Sequence, residues 1–152
     1  MRVLVHAIPA IVAGIAIYFV AFCGFEALQI LTSAQSGLGS LARAEFIYAL
    51  GRVLGLGPDG LVRAAACLGG AQLIVAGTFA IYLFERMIGS TPQKAMETFE
   101  AALLLLVILT VAQAIPILAG GSGRIGLHLS NLAVAGLAIV LCRMPTVRSG
   151  AV

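Results

Sequence analysis

Four long apolar segments take up most of this 152-residue sequence and restrict what the chain can fold into. Hydrophobic residues make up 61% of the chain and charged residues only 10%, whereas about 25% of the residues of a soluble domain are charged. A chain of this length cannot bury so much apolar surface in its own interior, so lipid is its expected solvent. The sequence therefore predicts an integral membrane protein.

Turn-forming and charged residues mark the ends of these segments. We expect helical spans at about residues 5–31, 61–87, 92–118 and 125–142, because each reaches or approaches the ~20 residues that cross ~30 Å of hydrocarbon. In lipid, backbone polar groups must be satisfied within each segment, and the patterning is not the alternating one of a membrane barrel. Short connections make neighbouring spans antiparallel. The predicted fold is all-α, a four-helix transmembrane bundle that forms one domain over residues 1–152.

A long connector separates the first two spans. Within residues 38–55, apolar side chains recur at roughly helical spacing, and charged residues such as Arg43 and Arg52 interrupt them. This pattern is typical of an amphipathic helix that lies in the membrane interface or caps a bundle. The glycine- and proline-containing segment 55–60 is expected to end this helix.

The charges of the chain are few and spread over the ends of its loops. The net charge of +3 suits contact with anionic lipid headgroups, but the clustered Lys and Arg of a nucleic-acid-binding protein are missing. Membrane lipids are therefore expected partners, and nucleic acid is not. Five basic residues lie on the side of the two termini and four on the other side, so the positive-inside rule favours cytoplasmic termini.

Polar residues inside the spans gather at one end of the predicted bundle. At a rise of ~1.5 Å per residue, most of them fall in the leaflet opposite the termini, and Gln72 lies deeper, near the middle of its span. The candidate ligand-binding residues are Glu26, Gln72, Gln113, His128 and Asn131.

Two interpretations of this polar cluster remain open. Amide and imidazole groups often bond across helices and simply hold a bundle together, whereas ionisable groups inside a membrane usually have a function. As a site, the cluster could bind a polar headgroup such as a quinone carbonyl, or relay a proton between Glu26 and His128. No motif has the spacing of metal ligands. We expect no metal site and no covalently bound cofactor, with quinone as the candidate ligand.

Three short segments resemble the DoxX-like family of membrane proteins. Residues 128–136, HLSNLAVAG, are similar to an N-L-A-x-x-G-like pattern in the last helix of that family. Residues 68–77, LGGAQLIVAG, look like its second helix, and residues 24–28, GFEAL, look like the end of its first. The chain departs from the family at Ser130, where Lys is common, and at Gln72, where Glu is common. Both differences remove charge.

This resemblance implies a four-helix protein of the bacterial inner membrane. DoxX-like members are often subunits or membrane partners of oxidoreductases, including a thiosulfate:quinone oxidoreductase. On that basis we expect an accessory or anchor subunit of a respiratory or redox complex, which binds other subunits and contributes to a quinone or lipid site rather than acting as an enzyme by itself. The alternatives are a purely structural, lipid-binding subunit and a stand-alone small transporter or proton pathway.

Overall fold

The computed structural model describes residues 2–32, 41–120 and 125–143, and these residues are almost entirely helical. No strand occurs within these ranges, so the all-α prediction is confirmed for them. The elements are five helices: α1 (Arg2–Thr32), α2 (Leu41–Leu54), α3 (Pro58–Met87), α4 (Pro92–Gly120) and α5 (Ile125–Cys142).

The helix bounds lie close to those predicted, with differences of three residues at the start of α1, which begins at Arg2, and at the start of α3. This helix begins at Pro58 rather than near residue 61. Gly57 before it is extended, and the fixed φ angle of a proline suits the first turn of a helix. The turn after α2 is therefore short, and it needs only Gly55 at a φ of 63°. The start of the predicted amphipathic helix, residues 38–40, lies outside the described residues.

Three helices in the described ranges are long and apolar enough to cross a membrane. They are Ile8–Thr32, Pro58–Met87 and Pro92–Ile115, with 25, 30 and 24 residues. Large apolar side chains such as Phe25, Ile74 and Leu104 are exposed on the outside of these helices, and extensive apolar surface of this kind marks contact with a membrane. The segment His128–Cys142 of α5 is apolar but shorter. These features indicate an integral membrane protein.

The long helices pack side by side in alternating directions. Phe19 of α1 stacks on Phe79 of α3 at 5.3 Å between ring centroids. Ile30, further along α1, packs closely on Gly69 of α3, where an added Cβ would lie 3.3 Å from the Ile30 side chain. As the residue number in α1 increases from 19 to 30, the number of the contacting residue in α3 decreases from 79 to 69. The two helices are therefore antiparallel. Phe79 also contacts Phe99 of α4, and α5 packs in turn against α4 and α1.

The buried core has two parts, and the smaller one lies beneath α2. The larger cluster includes Phe19, Phe79 and Phe99, all fully buried along the bundle axis. In the smaller cluster, α2 contributes Phe46 and Ile47 and packs on α3 and α4. Phe46 and Ile47 are buried, whereas Tyr48 is exposed. The helix lies near the end of α1, because Phe46 and Ile47 share a cluster with Ile30.

Candidate functional site

A small cavity lies inside the bundle, beneath α2, where α1, α3, α4 and α5 meet. Its volume is about 30 Å³. Every polar residue singled out from the sequence contributes to its wall: Glu26, Gln72, Gln113, His128 and Asn131. The fold therefore brings the five residues together, and ligand binding by them stays a prediction.

Each helix presents one face to the cavity. The wall residues of α4 are at positions 106, 109, 110 and 113, which is the spacing of a single helix face. His128 and Asn131 lie three residues apart in the first turns of α5, so they also share a face. Apolar side chains, including Phe22 and Leu68, fill the rest of the wall. The polar groups are thus enclosed by apolar surroundings.

Glu26 and Gln72 are joined directly across the interface between α1 and α3. Gln72 Nε2 donates a hydrogen bond of 2.7 Å to Glu26 Oε2. Only 3% of Gln72 is exposed, so the bond forms in a nearly dry environment. Hydrogen bonds to carboxylates are shorter and stronger than bonds between neutral groups. This bond anchors the Gln72 amide in one orientation.

Two other buried oxygens on the cavity wall accept no hydrogen bond from the described residues. They are Gln72 Oε1 and Asn131 Oδ1, on residues that are 3% and 5% exposed. An unsatisfied buried acceptor costs about 1–3 kcal/mol, and the large majority of buried polar atoms in folded proteins have a partner. The residues that line the cavity thus include two with an unpaired acceptor atom, one on α3 and one on α5.

A shallow, open groove on the outer face of α1 meets the cavity wall at Glu26. Tyr18, Ala21, Phe22 and Phe25 line it together with Glu26. The rings of Tyr18 and Phe22 stack at 5.8 Å, with 16° between their planes. Phe22 and Glu26 border both spaces, so the carboxylate lies between a polar interior and an apolar outer surface.

Cys23 and Thr110 also line the cavity, although neither was among the predicted ligand-binding residues. Cys23 is a buried free thiol. The Thr110 hydroxyl donates a 2.7 Å hydrogen bond to the Leu106 carbonyl oxygen of its own helix, so its oxygen can still accept. Each lies three residues before a predicted site residue, Glu26 or Gln113, and that helical spacing is the signal that could have identified them.

A second polar cluster holds α3 to α4 at the opposite end of the bundle. The buried Glu85 carboxylate accepts a 2.7 Å hydrogen bond from Thr98 Oγ1 and lies 3.3 Å from the Lys94 ammonium. Both carboxylate oxygens therefore have a partner, and this cluster links the two helices. In the parts of the chain that the structure describes, no three His, Cys, Asp or Glu residues are grouped as a metal site would require.

Comparison of this chain with models of known protein families, with curated proteins and with solved structures gave no match in any of the three.

Proposed function

We propose that this chain is a DoxX-like subunit of a respiratory or redox complex of the bacterial inner membrane, in which it binds other subunits and is not itself the catalyst. In this proposal α1, α3, α4 and α5 are four spans, since the 18 residues of α5 come close to the ~20 that cross a bilayer. The antiparallel pairing of α1 with α3 supports the up-and-down arrangement. The one-sided burial of α2 supports its position along the interface. Both termini are on the cytoplasmic side.

The site binds the polar headgroup of a quinone or a lipid at Glu26. The observation that supports this most directly is the position of Glu26, which lines both the polar cavity and the apolar groove. A membrane-soluble ligand needs apolar surface for its ring or chain and a few placed polar groups for its headgroup. The groove beside Phe22 and Phe25 offers the first, and the cavity offers the second.

The volume of the cavity determines which part of the ligand can enter. About 30 Å³ exceeds the roughly 10–15 Å³ that a cavity needs to hold one water molecule, so a hydroxyl or carbonyl oxygen fits. The ring or chain stays in the groove. Glu26 borders both spaces, and Gln72, Gln113, His128 and Asn131 also line the cavity.

A proton pathway is the second candidate function. Glu26 and His128 share a water-sized cavity, and a water hydrogen-bonded to both side chains would connect two groups that can carry a proton. This candidate requires the chain to work alone. Proton uptake by vesicles that contain only this chain would support it, and vesicles as tight as protein-free ones would exclude it.

The subunit proposal is tested by extracting the tagged chain from its native membrane in mild detergent. Mass spectrometry then identifies the proteins, quinones and lipids that come with it. Co-extraction of an oxidoreductase at fixed stoichiometry supports the proposal, and isolation as a lone monomer or homo-oligomer contradicts it.

Variants of the chain separate the headgroup site from a purely structural role. Glu26→Gln removes the charge at the cavity, and Glu97→Gln removes an exposed charge in the early turns of α4. Quinone-linked turnover of the complex should fall in Glu26→Gln and be unchanged in Glu97→Gln. If Glu26→Gln changes only the assembly or the thermal stability of the complex, the chain is a structural subunit.

A further inference from the structure

We infer that the cavity beside Glu26 selects a headgroup that carries a hydroxyl, such as a phenol or a hydroquinone, over the matching ether or carbonyl compound. The inference rests on the proposed function, because it concerns the same headgroup site. The inference adds the chemical class of the ligand to that proposal. It is based on the unpaired side-chain oxygens of Gln72 and Asn131.

The orientation of the Gln72 amide follows from its partner. A carboxylate oxygen accepts hydrogen bonds, and the amide directs its NH₂ group at Glu26, as the 2.7 Å contact from Nε2 shows. The carbonyl oxygen Oε1 is the other end of the same planar group, and it accepts no hydrogen bond from the described residues. A ligand atom that meets Gln72 Oε1 must therefore bring a hydrogen.

Asn131 provides a second acceptor from a different helix. Its Oδ1 atom is buried and, like that of Gln72, belongs to a residue more than nine-tenths buried on the same cavity wall. An ether or carbonyl oxygen beside either of these two atoms would set its lone pairs against those of the amide oxygen. A hydroxyl group would donate its proton to one of the acceptors and relieve the unsatisfied group.

The geometry allows one oxygen atom of the ligand to enter and keeps the rest outside. The cavity has a volume of about 30 Å³, whereas the groove beside Phe22 and Phe25 is open on the outer face of α1. Glu26 forms the boundary between the two. A phenol can therefore rest its ring in the groove and direct its hydroxyl past the carboxylate.

The test uses two probes that differ in one substituent on oxygen, which is hydrogen in the first and methyl in the second. Para-decylphenol and para-decylanisole share a ring and an alkyl chain, and neither undergoes the redox chemistry of a quinone. Each is titrated into the purified full chain in lipid nanodiscs, and bound probe is counted by native mass spectrometry. We expect the phenol to bind at least about tenfold more tightly, since sites built to hydrogen-bond a ligand group strongly reject analogues without it.

A matched pair of variants assigns the preference to Gln72. Gln72→Met removes the unpaired acceptor at nearly constant volume, and it should lower the affinity for the phenol to that for the ether. Gln93→Met is the control, because Gln93 also bonds a glutamate, Glu97, at 3.1 Å but lies exposed on α4. It should keep the full preference. If Gln72→Met does not fold, the relative affinity of the unchanged chain for the two probes still tests the preference for a hydroxyl group.

Two results would overturn the inference. Equal affinity for the two probes, or tighter binding of the ether, would show that the site does not prefer a hydrogen-bond donor. The headgroup site of the proposed function would not be contradicted by that result. Binding of neither probe at saturation means that the cavity admits no headgroup of this class. Co-extraction with an oxidoreductase is measured separately, so the subunit proposal stands or falls independently of both results.

Discussion

Gln72 Nε2 lies 2.7 Å from Glu26 Oε2, so an amide of α3 and a carboxylate of α1 are joined inside the bundle. This bond ties the two helices together at the end covered by α2. It also leaves the other amide oxygen of Gln72, a residue of the cavity wall, without a hydrogen bond from the described residues. The same contact therefore contributes to stability and defines the chemistry of the candidate site.

The energetic coupling of Glu26 with Gln72 can be measured in a double-mutant cycle with Glu26→Leu and Gln72→Met. We expect a coupling energy of about 0.6–1.7 kcal/mol, the range found for hydrogen bonds between membrane helices. The free energy of unfolding in mixed micelles provides the measurement. The exposed pair Gln93 and Glu97 on α4 is the matched control, with an expected coupling of about 0.2–0.5 kcal/mol. A coupling for the inner pair no larger than that of the control would contradict the assignment.

Filling the groove on α1 should displace the ligand without disturbing the cavity. Ala21→Phe places a ring in the space beside Tyr18 and Phe25, and we expect roughly a tenfold loss of co-extracted quinone or lipid, equivalent to about 1.4 kcal/mol. Quantitative mass spectrometry of the extract measures the loss. Ala101→Phe is the control, since Ala101 lines a separate groove between α4 and α5. Equal retention by the two variants would show that the α1 groove is not the binding surface.

The two partners of Glu85 should differ in what they contribute to stability. Thr98→Val removes a 2.7 Å hydrogen bond to a buried carboxylate, and bonds of this kind contribute about 1.5–3 kcal/mol. Lys94→Met removes an ion pair whose lysine side chain is 67% exposed, and such pairs contribute about 0–1 kcal/mol. Thermal unfolding in detergent should therefore show the larger fall in Tm for Thr98→Val. A larger decrease in Tm for Lys94→Met would contradict the expectation that the Thr98 hydrogen bond contributes more than the Lys94 ion pair.

The aromatic contact at the centre of the bundle should dominate its packing energy. Phe79 is fully buried between Phe19 and Phe99, and Phe79→Ala should lower the free energy of unfolding by about 3–5 kcal/mol through the cavity it leaves. Phe84, which is 61% exposed on the same helix, is the control, with an expected change within about 0.5 kcal/mol for Phe84→Ala. Denaturant unfolding of both variants measures the difference. A similar decrease in the free energy of unfolding for the two variants would contradict the central role of Phe79 in the core.

The helices and the depth of the polar residues could be predicted from the sequence because both depend on position along one axis. The bounds of α5 agree with the prediction at both ends, since residues 121–124 and Pro145 interrupt the apolar run. A fixed rise per residue and an antiparallel order place Glu26, Gln113 and His128 at one end of the bundle. That end is where the cavity lies.

The contacts across helices could not be predicted, because they depend on how each helix is rotated about its own axis. Depth alone placed Gln72 below Glu26 and did not indicate the hydrogen bond between them. The volume of the cavity depends on side chains such as Phe22 and Phe46 that the polar pattern does not reveal. Likewise, the buried pairing of Glu85 with Thr98 requires the reversal between α3 and α4.

The most direct test of the central claim, a headgroup site at the Glu26–Gln72 contact, compares the molecules retained by three forms of the tagged chain. The unchanged chain, Gln72→Met and Gln93→Met are extracted in parallel from the native membrane, and quinones and lipids are counted per chain by native mass spectrometry. We predict one retained molecule in the unchanged chain and in Gln93→Met, with a loss of at least about tenfold in Gln72→Met. Equal retention in all three forms, or none in the unchanged chain, would contradict the account.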